Sequence, residues 1–493
     1  MPRSLRYLGL VPLVSSQATL NRWAPAAAAS IPLVVYLPLA IRRYGWSDDF
    51  PHLYGDGTPE VIAGGARPLM ALVFHLVFSL ADDIDLLMPM RVAGILGIAV
   101  MAALITHLLQ RWQVGPLLST FLGSTVVLLP PFQIFAGWAT VFGYPWVSVT
   151  STVAALVWIR REPTPTINRT VAFLLMVAGL AYYPPAAMFC WAVLAVRIAI
   201  LATPLPEAIR QVTRLAFLVV TAAAVAFVIA GITVSELDTE FAGRVTLITD
   251  PMAIISKVGW FLAYPLIVAA RPFQISSPSG FEALVTGGPV LLLAFAGLLV
   301  RAPGHRIYRL VWVIGVFIVV GLSFVVHLVV VDNQIEYRFM AGLTAGIWML
   351  AVISARDLFN RLDQVSRLIP ILMMIALLVA ASVSSYNNVR NLFVRPSQIA
   401  ERHIAETLSR YSPKTHDRVV VVNDYQWWHP KPDLGIFSTR SDLSHGWVEE
   451  PLVRLLLAEG GHDAEGIEVI VTAEPDDDPR TLLIDLRPLI SRL

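Results

Sequence analysis

Charge and cysteine are what this chain has least of. Charged residues make up 14% of the 493, where an average soluble domain carries roughly 25%. Lys and Arg number 36 and Asp and Glu 35, a net of +1, so no polyanionic partner such as a nucleic acid is implied. Cys190 is the single cysteine, which excludes an internal disulfide, a CxxC metal knuckle and a redox pair. There is no HExxH, no Cys/His cluster, no DxD triplet in a Gly-rich strand, no P-loop and no GxGxxG. Neither a zinc site nor an ATP or dinucleotide site is therefore indicated. No fixed-period repeat and no low-complexity run occurs.

What the chain does have is apolar residues, 56% of the total, and a mean hydropathy of +0.67. That exceeds what one soluble core can hide, so the composition predicts a polytopic membrane protein. A helix needs about 20 apolar residues to cross a hydrocarbon core of about 30 Å. Eleven runs qualify, near 24–43, 90–110, 115–131, 145–160, 169–184, 185–203, 213–233, 284–301, 309–331, 338–355 and 367–385. The first has a basic lead (Arg3, Arg6, Arg22) and no convincing cleavage site, which suits an uncleaved span.

Lys and Arg in short loops mark the cytoplasmic side. Alternate loops are basic: Arg111; Arg160, Arg161 and Arg169; Arg210 and Arg214; Arg301, Arg306 and Arg309; Arg356, Arg361 and Arg367. The N-terminus falls on that side. Arg42 and Arg43, at the outer end of the first span, break the rule. The outer loops are 44–89, 131–144, 234–283, 332–337 and everything beyond about 386. Two of them contain apolar stretches, 66–80 and 251–270, read as helices lying in the interface. If either crossed, every later basic loop would change sides. The only cation that reads as mid-span is Arg197.

The chain thus divides into a transmembrane unit, 1–385, and a tail, 386–493. The tail holds 12 Lys/Arg and 17 Asp/Glu, a net of −5. Runs 417–423, 467–473 and 481–486 read as short buried strands, and 398–411 and 449–460 as amphipathic helices. A small extracytoplasmic α/β domain is expected.

The strongest chemical signal is GWSDDF, with Asp48 and Asp49 just beyond the first span. Such a carboxylate can act as a general base while its neighbour orients it. The plain alternatives are a solvated acid pair, or a helix N-cap from Ser47 or Asp48. Arg67 follows, able to grip a phosphate with its planar fork or to snorkel as an interface anchor. Asp82, Asp83 and Asp85 read mainly as a solvated turn. Arg338 sits in DNQIEYRFMAG, a phosphate ligand or an ion-pair partner of Glu336 or Asp332. Lys257 and Arg271 flank the second interfacial helix, where headgroup anchoring competes with a phosphate role. Tyr54 lies in the acidic loop. Trp138, Tyr144, Trp146, Tyr182, Tyr183, Trp260 and Tyr264 fall near outer span ends, where aromatic belts are the default. Some of them could stack on a sugar ring. Trp427 and Trp428 lie in the tail with no lipid to anchor, and read either as an acceptor surface or as a packed core pair. His75, His107 and His327 read as structural.

Four stretches, in order, resemble the GT-C membrane glycosyltransferases, and more narrowly the bacterial O-antigen glucosyltransferase (Gtr II-like) family. They are SDDFPHLYGDG…GGARPLMALVFHL, PPFQIFAGWATVFGYPW, LAYYPPAAMF and SSYNNVRNLFVRPSQIAERHIAETL. One departure is Ala66, where that family's pattern has glycine directly before the arginine. The resemblance implies a multi-pass protein of the bacterial cytoplasmic (inner) membrane, N-terminus inside and tail outside. It implies transfer of a sugar, glucose being the expected one, from a polyprenyl-phosphate donor to a hydroxyl of an envelope glycan or glycolipid acceptor. Asp48 or Asp49 would be the base, with Arg67, Arg338, Lys257 and Arg271 candidates for the phosphate. Tyr54, Trp138, Tyr144, Tyr182, Tyr183, Trp427 and Trp428 are the candidate substrate contacts. A lipid monophosphate is a stable leaving group, so metal independence is expected, with a divalent ion at Asp48 and Asp49 as the alternative. The rivals are a flippase for polyprenyl-linked sugars, or a GT-C enzyme of other specificity, mannosyl- or arabinosyltransferase.

Overall fold

The computed structural model describes residues 11–54, 58–80, 83–160, 165–276, 278–333, 335–361, 368–423, 448–476 and 478–492. Trp427, Trp428, Asp82, Arg3, Arg6, Arg161 and Arg367 lie outside them.

The protein is a polytopic helical bundle with a small α/β tail. Among the described residues nine helices are long and apolar enough to cross a bilayer, and the bent pair Pro116–Val126 and Pro130–Gly137 makes a tenth. Eight of the nine coincide with expected spans, and the bent pair is the run near 115–131. The expected spans at 169–184 and 185–203 are shorter, Thr166–Tyr182 and Pro184–Ile200. The ninth long helix is Pro251–Ala269, which the sequence placed outside the membrane. Its flanks decide its course. Ile248 N donates to Val329 O (2.9 Å), and Gln274 O accepts from Tyr337 Oη (2.6 Å). Both flanks thus meet the one short connection between Arg306–Val329 and Ala341–Phe359, so the segment returns to the end of the bundle from which it left. The stretch Pro68–Phe78 does the same, with Arg67 over Tyr183 at one end and Phe78 against His52 at the other.

The loops sort into two sets. At one end Tyr44 Oη donates to Gly137 O (2.9 Å), the Thr140 amide donates to Asp49 and Arg338 lies over Trp138. At the opposite end Gln110 reaches Asn21 O (3.0 Å), Arg301 reaches Ile200 O (3.0 Å) and Asp357 (2.8 Å), and Trp312 Nε1 donates to Thr203 O (2.7 Å). The basic loops gather at this second end. Arg197 joins them: it sits in the last turn of Phe189–Ile200, bonded to Gln211, and is not mid-span.

Proline accounts for the bend in the third crossing. Pro130 and Pro131 lack amide hydrogens, so Val127 O, four residues before Pro131, accepts instead from Tyr36 Oη (3.2 Å), while Gln133 Nε2 and Ser385 Oγ donate to Leu128 O, both at 2.8 Å. The tail is a three-stranded parallel sheet, order β2-β1-β3, from β1 (Arg418–Val422), β2 (Glu468–Thr472) and β3 (Thr481–Asp485). The helices Arg395–Leu408 and Glu449–Glu459 pack on it.

Labelling checks which end faces out. In a Cys190→Ala background, Leu80→Cys (81% exposed) at the first end should react with a membrane-impermeant maleimide on intact cells. His305→Cys, at the basic end, should react only after lysis. The reverse pattern would invert the assignment.

Candidate active site

The first helix, Val11–Ala40, ends against Arg91. This arginine is fully buried and donates to Ala40 O (3.2 Å), Arg42 O (2.8 Å) and Tyr44 O (2.6 Å), with its guanidinium 4.0 Å from the centre of the Tyr44 ring. A cation at a helix C-terminus meets carbonyls that have no partner within the helix. The chain then turns through Gly45, whose amide donates to Glu401 (3.0 Å) and whose carbonyl accepts from Ser397 (2.5 Å).

The two adjacent acids separate here. Asp49 is wholly buried and accepts from the amides of Trp46 (2.8 Å) and Thr140 (2.9 Å). It ties the loop to the third crossing through both carboxylate oxygens and offers no open face. Burial pushes its carboxyl up to about 7, with Arg91 and the two amides opposing. Asp48 is half-buried, with Ser47 Oγ 3.4 Å away, and lies close enough for its charge to act on His52, Tyr144 and Arg338.

Across from Asp48 are two arginines and two stacked tyrosines. Tyr144 and Tyr183 stack at 3.6 Å, 9° from parallel. Arg67 lies 5.0 Å over Tyr183. It has no carboxylate or hydrogen-bond partner among the described residues. Arg338 lies 4.9 Å from the Trp138 ring and pairs with Glu336 at 2.6 Å, so Glu336 and not Asp332 is its partner. Burial opposes the Arg338 charge, and Glu336 with Asp48 more than restores it. The indole Nε1 of Trp138 is buried without a hydrogen-bond partner among the described residues.

Other expected residues are elsewhere. Lys257 donates to Val331 O, Asp332 O and Asn333 Oδ1, which uses all three of its hydrogens. Arg271 is fully buried and engaged by Gln274, Ser276 and Glu282. Neither has a donor set free for a phosphate. Tyr182 turns to Gly143, and Tyr54 faces Arg454 of the tail at 5.8 Å. Asp83 caps a short helical turn and Asp85 pairs with Arg43. His327 packs between Phe324 and Phe339.

The sequence reading missed His52. It stands one helical turn after Asp48, which was the available signal, and packs between Phe74 and Phe78. Burial pushes its imidazole down to about 4 against the pull of Asp48, so it is neutral near pH 7 and leaves the Asp48 charge uncancelled.

The four stretches that suggested a family therefore converge. Asp48 and Arg67 come from the first, Trp138 and Tyr144 from the second, Tyr183 from the third, and Ser385, Ser397 and Glu401 from the fourth. No family model matches the chain, and no curated protein is significantly similar to it.

Two stability predictions follow from the local geometry. Ala66 has φ +57°, a left-handed conformation that favours glycine. Ala66→Gly should raise stability by about 0.5–1 kcal/mol in a detergent melt; a fall would show that the strain is absent. Asp49 binds its proton more tightly folded than unfolded, where its ordinary value is 3.8. Its contribution is full below about pH 4 and declines as pH rises through about 7. Over that window the melting temperature of the wild type should fall relative to that of Asp49→Asn.

Proposed function

We propose that the protein is a membrane glycosyltransferase that moves a sugar from a polyprenyl-phosphate donor to an acceptor hydroxyl, at the end of the bundle away from the basic loops. The observation that carries this reading is Arg67, a half-buried guanidinium over Tyr183 with no acid partner among the described residues, across from Asp48. Such a cation calls for an anion from outside. A bundle that can cross a bilayer puts a lipid phosphate at the same level.

In this reading Arg67 holds the donor phosphate with its planar fork, and Arg338, already balanced by Glu336, adds field. The acceptor oxygen attacks the anomeric carbon as the bond to phosphate breaks. Its proton passes to Asp48, and the lipid phosphate leaves as an anion stabilised by the arginines. One displacement inverts the anomeric centre, and no sugar–enzyme bond forms. Trp138 Nε1 is a donor available to a sugar hydroxyl. Asp49 positions the loop. By the order of the four stretches the sugar is glucose, the acceptor an envelope glycan or glycolipid, and the location the outer face of a bacterial cytoplasmic membrane.

The test is reconstituted protein with radiolabelled polyprenyl-phosphate glucose. Asp48→Asn should lower kcat by roughly 10²–10⁴-fold with its melt unchanged. Arg67→Ala should raise KM by about 10–100-fold, the worth of a charge-assisted hydrogen bond. Transfer surviving in Asp48→Asn would overturn the base assignment. Lipid crossing the bilayer with no transfer would replace the reading with that of a flippase.

A further inference from the structure

At the basic end of the bundle, far from Asp48, four helices, with Leu20 of the first helix, leave a cleft. Pro116–Val126, Gly280–Arg301, Ala341–Phe359 and Leu368–Val389 enclose a cavity of about 1050 Å³, open on one side. Its wall is apolar apart from Arg356 and Asn360.

The depth of the cleft is informative. On Ala341–Phe359 and its C-cap it runs from Trp348 to Asn360, about 18 Å at 1.5 Å per residue, and on Leu368–Val389 from Pro370 to Ala380, about 15 Å. Half of a hydrocarbon core of about 30 Å is about 15 Å, so the cleft is one leaflet deep. Trp348 shuts its inner end: the indole Nε1 donates to Thr125 Oγ1 (2.9 Å) and the ring meets Phe273 edge-on at 5.2 Å. None of Asp48, Arg67, Tyr183 and Arg338 lines it. A tail descending from the active-site end would meet this wall.

The mouth carries charge. Arg356 pairs with Asp357 at 2.6 Å and Arg301 pairs with the same carboxylate at 2.8 Å. Two guanidinium groups share one acid, an excess of one positive charge within this described trio at the level of lipid headgroups. Basic groups between helix ends on this side attract anionic headgroups.

We propose that this cleft binds one anionic phospholipid of the leaflet at the basic end, an acyl chain lying in the groove and the phosphate on Arg356. The site is distinct from that of the sugar donor and does not depend on glycosyl transfer.

The test is native mass spectrometry of protein in detergent supplied with dioleoyl phosphatidylglycerol or dioleoyl phosphatidylcholine. The wild type should retain one phosphatidylglycerol per chain in preference to phosphatidylcholine. Ala376→Trp, which fills the groove from its open side, should lose it. Leu292→Trp, equally bulky but on a lipid-facing position outside the groove (70% exposed), should keep it. Arg356→Gln should bind about fivefold more weakly and lose the headgroup preference, the effect of about one cation at the membrane surface, and Arg356→Lys should restore it. Gel filtration and melting curves check that each variant is folded. Retention by folded Ala376→Trp, or a preference indifferent to Arg356→Gln, would overturn the proposal. So would displacement of phosphatidylglycerol by polyprenyl phosphate, which would give the groove to the donor, or a dimer that Ala376→Trp dissociates, which would make it an interface.

Discussion

The site depends on one buried cation. Arg91 closes the first helix by holding its last carbonyl, Ala40 O, and two carbonyls of the turn that follows, Arg42 O and Tyr44 O, and so sets where the chain turns. Asp49 lies within its field and fastens the other side of the turn to the third crossing through Thr140. A fully buried guanidinium must be matched by acceptors and by charge. Here carbonyl dipoles supply the acceptors and Asp49 the nearby opposite charge. The arrangement leaves little freedom for the residue between Trp46 and Asp49 that faces the arginines. Removing Arg91 would expose three carbonyls to an apolar surround and leave Asp49 without its nearest cation.

That constraint explains how two adjacent aspartates come to have different environments. Asp49 points inward and is held by amides. Asp48 points toward Arg338 and the stacked tyrosines. The residue that separates the turn from the acid, Ser47, has φ +45°, and Ala66, just before Arg67, has φ +57°. Both are left-handed, a conformation that non-glycine residues hold only where the surroundings insist. The two strained residues immediately precede the two charged side chains that act on Tyr144, Asp48 and Arg67. Backbone strain here aims side chains.

Much of this was legible in the sequence and some was not. Span positions were readable because lipid exposure demands unbroken apolar runs, and the basic loops sorted correctly to one end. The length test failed at Thr166–Tyr182 and Pro184–Ile200, which are shorter than ordinary spans, and at Pro251–Ala269, which passes the test yet turns back. Length and composition do not record where the flanks attach, and those are settled by Ile248 and Gln274. Asp48, Arg67, Arg338, Trp138, Tyr144 and Tyr183 were found by residue type and neighbourhood, and they meet, whereas Asp49 turns away into the bundle. Lys257 and Arg271 were chosen on the same grounds but are occupied, because partners such as Asn333 and Glu282 are invisible to a one-dimensional reading. His52 was missed because its four-residue spacing from Asp48 becomes a neighbourhood only when a helical turn is placed there.

Arg43 shows why a local violation of a charge rule can be informative. An arginine at the end opposite the basic loops needs a reason to be there, and the reason is three carboxylates from three separate segments. Arg43 reaches Asp85 at 2.9 Å, Glu459 at 2.6 Å and Glu401 at 3.9 Å. Asp85 lies after the interfacial helix, Glu401 on the helix leading into the tail, and Glu459 at the end of the tail helix that packs on the Asp49–Tyr54 turn. Neutralised in this way, Arg43 adds no net positive charge at that end of the bundle. Exposed ion pairs of this kind contribute little stability singly. Their value here is geometric, because Glu401 also accepts the Gly45 amide. The tail is therefore bound to the same connection, residues 41–48, that carries Asp48. A change in how the tail sits would be felt at the acid through Gly45 and Arg43 before it reached any other part of the bundle.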